Sequence, residues 1–159
     1  MHAIGEVNDP SWSEVVEKCI EFIDTGMHYD SLHHNTSDTV KERVVTTFLR
    51  IAFKRTTDEC RQQANELIAC QNYDIQVMFK GSHDAMLLPE KCSWGRLASF
   101  VRFWCEVIVL YKISDKTSLQ KCIQKLLIKA LDDCQWFRDN DKWVFTFNNY
   151  RFKYAMCMM

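Results

Sequence analysis

Apolar residues recur at three- and four-residue steps along most of this chain, the spacing that builds one face of an α-helix. Trp12, Val15, Val16, Cys19, Ile20 and Ile23 make the first such face. Asp9-Pro10 offers an N-cap with proline in the first turn, and Ser11-x-x-Glu14 has the spacing of a capping box. A helix is therefore predicted from Asp9 to Asp24. Residues 25–37 are polar and aperiodic and read as a loop. A second helix is expected from Thr39, with Glu42 three residues on, to about Arg55; its apolar positions are Val40, Val44, Val45, Phe48, Leu49, Ala52 and Phe53. Thr56-x-x-Glu59 repeats the capping-box spacing and predicts a break, then a third helix to about Cys70. Between Asp74 and Leu88 the pattern is split by Gly81, and Ser82 or Asp84 would cap a short helix ending near Pro89.

The strongest element runs from Ser93 to Lys112. Of the 18 residues from Trp94 to Tyr111, 13 are apolar, and they wrap round most of the helix. A helix apolar on nearly all sides belongs at the centre of a bundle. Arg96, Arg102 and Glu106 argue against a membrane span. Leu119, Cys122, Ile123, Leu126, Ala130 and Leu131 then form one face, while Lys116, Lys121, Lys125 and Lys129 line another and read as solvated. An aromatic-rich stretch from Trp136 to Tyr154 closes the chain, without internal repeats. The expected architecture is one all-α domain over residues 1–159, with seven to eight helices around a hydrophobic central helix.

Composition narrows the function classes. In 159 residues, 20 basic and 21 acidic side chains leave a net charge of -1, which gives no bulk electrostatic case for nucleic acid. No apolar run exceeds six residues, so no membrane anchor is expected. The eight cysteines include no C-x-x-C pair, and Cys19, Cys105 and Cys122 sit in apolar helical patterns. The opening residues have neither a basic start nor an apolar run, so reduced, structural cysteines are expected. His28, His33 and His34 cluster in the loop, but no helical His pair with a neighbouring Glu occurs. Gly-rich phosphate loops and a G-x-S-x-G elbow are missing, and capping explains Asp132-Asp133 and Asp139/Asp141. No catalytic residue, metal or cofactor is expected.

Two segments carry more information. In Ser93-Trp94-Gly95-Arg96-Leu97-Ala98-Ser99-Phe100, Gly95 lies inside the most apolar helix, where glycine costs about 1 kcal/mol relative to alanine. Such a glycine implies close approach to the backbone, by another helix of the chain or by a ligand. Arg96 beside it must reach water or find an anionic partner. The second segment, Trp136-Phe137-Arg138-Asp139-Asn140-Asp141-Lys142-Trp143, reads as a polar turn joining two short helices, each anchored by a tryptophan.

In this order, some forty residues apart, the two segments resemble the first and second homology regions of the Bcl-2 family of apoptosis regulators. The family's Asn-Trp-Gly-Arg core is matched at three of four positions by Ser93-Trp94-Gly95-Arg96, and its paired tryptophans by Trp136 and Trp143. The resemblance covers roughly residues 37–150; more weakly, Val15 to Asp24 looks like the fourth homology region. It implies a binding protein whose surface groove holds an amphipathic helix, the third homology region of a pro-death relative, by apolar anchors at i, i+3/i+4 and i+7. The resemblance places Arg96 against the ligand's Asp and a small ligand residue on Gly95. It puts Ser93, Phe53, Leu67, Met86, Leu87, Ala98, Ser99, Phe103 and Tyr150 at groove positions.

Three departures qualify it. Ser93 replaces the family's Asn and removes an amide that would help hold the ligand Asp. Aligned on Leu49-Arg50-Ile51-Ala52, the chain's own third homology region has Phe53 and Lys54 where Gly and Asp belong, which speaks against a killer role. No anchor follows Tyr150 before Met159. The implied protein is a compact viral or otherwise divergent pro-survival member, cytoplasmic (host cytoplasm if viral), reaching the mitochondrial surface through partners. A homodimer is left open. Two alternatives stand beside it: a Bcl-2-like module acting on immune signalling with a closed groove, and an unrelated helical enzyme with a polar pocket at His33 or His34.

Overall fold

The computed structural model describes residues 9–26, 39–54, 57–70, 74–140 and 143. Among them stand six helices of 12 to 20 residues: α1 (Trp12–Asp24), α2 (Val40–Lys54), α3 (Thr57–Ala69), α4 (Ile75–Met86), α5 (Trp94–Ile113) and α6 (Thr117–Asp132). A five-residue turn of helix, α7 (Gln135–Asp139), follows. No strand occurs among the described residues. The all-helical expectation holds, with six full helices in place of seven to eight.

α4 differs from the expectation at Gly81. The pattern suggested a break there, but α4 passes straight through it, capped by Asp74, whose Oδ1 accepts from the Gln76 N–H at 2.9 Å. The cap and the buried faces of Ile75 and Phe79 hold the helix across its weakest residue. Thr56 and the second of the two short helices expected in the double-tryptophan segment lie outside the described residues, as do His28, His33 and His34; Arg138 and Asp139 of the expected turn belong to α7.

Local signals set the other helix starts. Ser11 caps α1 in a complete capping box: its Oγ accepts from the Glu14 N–H, and Glu14 accepts from the Ser11 N–H. The cap is thus Ser11, not Asp9. Thr39 Oγ1 accepts from the Glu42 N–H at 3.1 Å, as its position predicts. On α6 the buried residues are Ile123, Leu127 and Leu131, one turn apart, while Leu119 faces outward. The lysines Lys116, Lys121, Lys125 and Lys129 are exposed.

Helix α5 is the axis of the fold: 13 of its 20 residues are buried, and α1, α2, α3, α4 and α6 all pack on it. No described helix is long and apolar enough to cross a membrane.

Two charges sit inside this core. Arg102 (0% exposed) and Glu106 (2%) are one turn apart on α5. Arg102 donates to Glu106 Oε2 from Nε at 3.1 Å and from Nη2 at 3.0 Å. Its Nη1 donates to the Ala52 carbonyl at 3.3 Å, and its guanidinium lies 4.1 Å from the centroid of the Phe53 ring. The other Glu106 oxygen faces Arg61 of α3 at 3.6 Å. Ala52 lies in the last turn of α2, whose carbonyls lack helical partners, so Arg102 satisfies one of them.

Two substitutions test this account. Glu106→Ala strands Arg102 in the core and should cost about 3–5 kcal/mol in denaturant unfolding. A Cβ at Gly81 would meet nothing within 4 Å, so Gly81→Ala should stabilise by about 0.5–1 kcal/mol in the same measurement.

Candidate functional site

The site begins where α4 ends. Leu87 is the buried C-cap of α4, its N–H donating to the His83 carbonyl at 2.8 Å. The chain turns back at once: the amides of Lys91 and Cys92 both donate to the Leu88 carbonyl, at 2.8 and 2.9 Å. Ser93 then caps α5, its Oγ accepting from the Arg96 N–H at 3.2 Å. Serine is a strong N-cap, so the residue that replaces the family's Asn keeps a local role.

Arg96 leaves the first turn of α5 with its side chain exposed and folds back, Nη1 donating to the Lys91 carbonyl. The expectation was water or an anionic partner. It has water and a neutral carbonyl. Nearby, His83 and then Lys80 hydrogen-bond Asp84 and hold its carboxyl below the usual carboxylate range; the His83 Nδ1–Asp84 Oδ1 distance is 3.0 Å.

Trp94 points the other way, into an aromatic cluster. Its ring lies 5.6 Å from Trp136, 5.9 Å from Phe137 and 5.7 Å from Trp143, centroid to centroid. Trp143 also meets Trp12 at 4.7 Å and Phe48 at 5.8 Å, and its Nε1 donates to the Pro10 carbonyl at 3.1 Å. Both tryptophans of the second segment therefore close on the first. Edge-on and tilted pairs of this kind add about 0.5–1.5 kcal/mol each beyond the area they bury.

The remaining expected residues divide by accessibility. Ser93, Gly95, Ser99, Phe103, Leu67 and Met86 are half-buried, the last three packing partly on the core. Leu87 and Ala98 are buried, so any groove here would have them in its floor. Phe53 is buried too, its ring 4.6 Å from Phe22 and under Arg102; it belongs to the core between α1, α2 and α5. Tyr150 lies outside the described residues.

Sequence reasoning passed over Val77 and Met78, which stand 65% and 44% exposed on α4. The signal was available: with Ile75 and Phe79 buried one turn apart, the residues between them must face away.

Two surface clefts lie elsewhere. One, about 490 Å³, separates α1 from α2 and is lined by Glu14, Glu17, Glu21, Lys41 and Leu49 among others. The Ser11 backbone N–H, with Lys41 across the cleft, holds the Glu14 carboxyl below its ordinary range. The other, about 640 Å³, runs along Pro10, Trp12, Phe137, Arg138 and Trp143. Neither includes Arg96. Among the described residues, no three His, Cys, Asp or Glu side chains converge as a metal would require.

No known protein family matches the chain, and no curated protein or solved structure is similar enough to count as a match.

The aromatic cluster sets a measurable expectation. Trp143→Ala removes the ring that joins Trp94 to Trp12 and Phe48, and should cost about 3–5 kcal/mol in urea unfolding.

Proposed function

We propose that this protein is a pro-survival, Bcl-2-like inhibitor of apoptosis that sequesters the amphipathic third-homology-region helix of pro-death relatives. One observation carries the reading: the two segments that resemble the first and second homology regions, some forty residues apart, meet in one aromatic cluster at the start of the central helix. The cluster turns Trp94 inward and leaves Arg96 on the outer surface, where a ligand carboxylate can reach it. Half-buried Leu67, Met86 and Phe103 supply apolar surface, and methionine adapts to varied partners. In this reading the protein acts by binding alone, in the cytoplasm, with no catalytic residue, metal or cofactor. Each Leu- or Ile-sized anchor buried in the groove is worth about 1.5–3 kcal/mol.

A second reading, a Bcl-2-like module that acts on immune signalling with its groove closed, draws on a specific observation. Arg96 is already bonded to the Lys91 carbonyl.

One titration separates them. Fluorescent third-homology-region peptides from pro-death proteins are titrated by polarisation against the wild type and Arg96→Glu. On the first reading the wild type binds and Arg96→Glu weakens binding by roughly thirtyfold or more, as truncating a charge pair that costs about 2 kcal/mol or more requires. No binding by the wild type, or equal binding by both, overturns it and favours the closed groove.

A further inference from the structure

We propose that the outer face of α6 docks on an anionic lipid surface, with Lys121, Lys125 and Lys129 on the headgroups and Ile113 and Leu119 dipping into the interface. The three lysines are exposed and follow one another a turn apart, about 6 Å along the axis. Each stands two residues from Ile123, Leu127 or Leu131, the buried side of the helix, so the row points away from α5. From Thr117 to Leu131 the helix carries no acid; Asp115 lies before the row and Asp132 after it.

An exposed lysine row is by itself an ordinary solvated face. Two observations set this one apart. Lys18, Lys41, Lys80 and Lys112 each pair with a carboxylate, whereas among the described residues Lys121, Lys125 and Lys129 meet none. Large apolar side chains also stand exposed beside the row. Ile113, the last residue of α5, is 70% exposed, and Leu119, in the first turn of α6, is 37% exposed. Only Ser114, Asp115 and Lys116 separate the two helices, so both apolar residues lie at the same end of the row. One turn on from Leu119, Cys122 accepts from Gln76 Nε2 at 3.6 Å, which brings the first turn of α4, with exposed Val77, to that end as well.

Lipid fits this combination better than a nucleic acid does. A phosphate backbone would engage the lysines and leave Ile113 and Leu119 in water. A bilayer interface takes both, since lysine stems lie along the apolar layer while the ammonium groups stay among the headgroups. The buried face of α6 is held in the core, and no described helix is long and apolar enough to cross a membrane, so the contact is with the surface. Each lysine near an anionic surface contributes about fivefold to partition, and the row of three roughly a hundredfold. The surface lies on a different helix from Arg96 and does not depend on the peptide groove.

The test is co-sedimentation of the full chain with vesicles of phosphatidylcholine, alone or mixed with phosphatidylserine. The expected result is binding to the mixed vesicles only, weakening as salt is raised. Lys121→Gln/Lys125→Gln/Lys129→Gln should lower it by roughly a hundredfold. Ile113→Ser should lower it by about tenfold. Lys18→Gln/Arg43→Gln/Lys54→Gln removes the same charge from exposed positions on α1 and α2 and should leave binding nearly unchanged. All the substituted side chains are exposed, and a helical circular dichroism spectrum checks each variant's fold. The proposal is overturned if the wild type ignores the mixed vesicles at low salt, or if the two triple variants lose binding equally. Tighter binding to a duplex oligonucleotide than to vesicles, lost in the α6 variant but not in Ile113→Ser, overturns it in favour of a nucleic-acid partner.

Discussion

Everything in this fold follows from the need to cover one helix. α5 is apolar round most of its circumference, and an exposed helix of that kind would leave hydrophobic surface in water on every side. Fully burying a Leu-, Ile- or Phe-sized side chain is worth about 1.5–3 kcal/mol, so the cost of exposure is large beside a domain's net stability. One partner helix covers only one stripe. A sheath is needed, and α1, α2, α3, α4 and α6 each bring the amphipathic face that provides it. Their outward faces are then free to be polar, as the lysine row of α6 is. Val77 and Met78 on α4, Ile113 at the end of α5 and Leu119 on α6 are exceptions, apolar residues left exposed.

The sheath has to accommodate a charge pair that pure hydrophobicity would reject. Arg102 and Glu106 are tolerable only because their polar atoms have partners from three helices: each other on α5, a carbonyl at the end of α2, and Arg61 on α3. A buried pair is weak evidence of net stabilisation, since desolvation offsets much of the attraction. Its effect is on geometry. The guanidinium accepts few arrangements, and here it requires the last turn of α2 and the ring of Phe53 to sit beside the middle of α5. Hydrophobic packing fixes that α2 covers α5; the charge pair restricts where along it.

The periodic and capping signals were legible in the sequence because they are local. The Ser11 box, the Thr39 cap and the central helix all come from residues within a turn or two of one another. What stayed hidden depends on partners far along the chain. Arg102 reads as a charge that merely spoils a membrane span; its carbonyl lies 50 residues away on Ala52. Gly81 reads as a break, because the burial that holds α4 together comes from α5 and from Trp104, whose Nε1 donates to Ser82 Oγ at 3.0 Å. For α6, the adjacent Leu126 and Leu127 admit two registers, and only packing selects Leu127 for full burial. Within the candidate site, the motif residues of α5 were visible one by one. The convergence of Trp94 with Trp136 and Trp143 was not, since it is made by the return of α6 along α5.

The internal bond of Arg96 bears on which functional reading is the better physical account. An exposed guanidinium on a neutral backbone carbonyl exchanges with water at a net cost of about 0.5–1.5 kcal/mol, and losing it strands nothing, because water reaches both groups. A ligand carboxylate offers charge-assisted bonds, roughly twice as strong as neutral ones, and leaves the Lys91 carbonyl to solvent. With the proposed ligand the exchange would therefore run toward its carboxylate, which makes the bond to Lys91 a resting place for the side chain and not a latch. A closed groove would have to be closed by apolar cover over Gly95, and the interaction of Arg96 with Lys91 does not supply it. What that bond does supply is a fixed starting position for the guanidinium, on the exposed side of the first turn of α5.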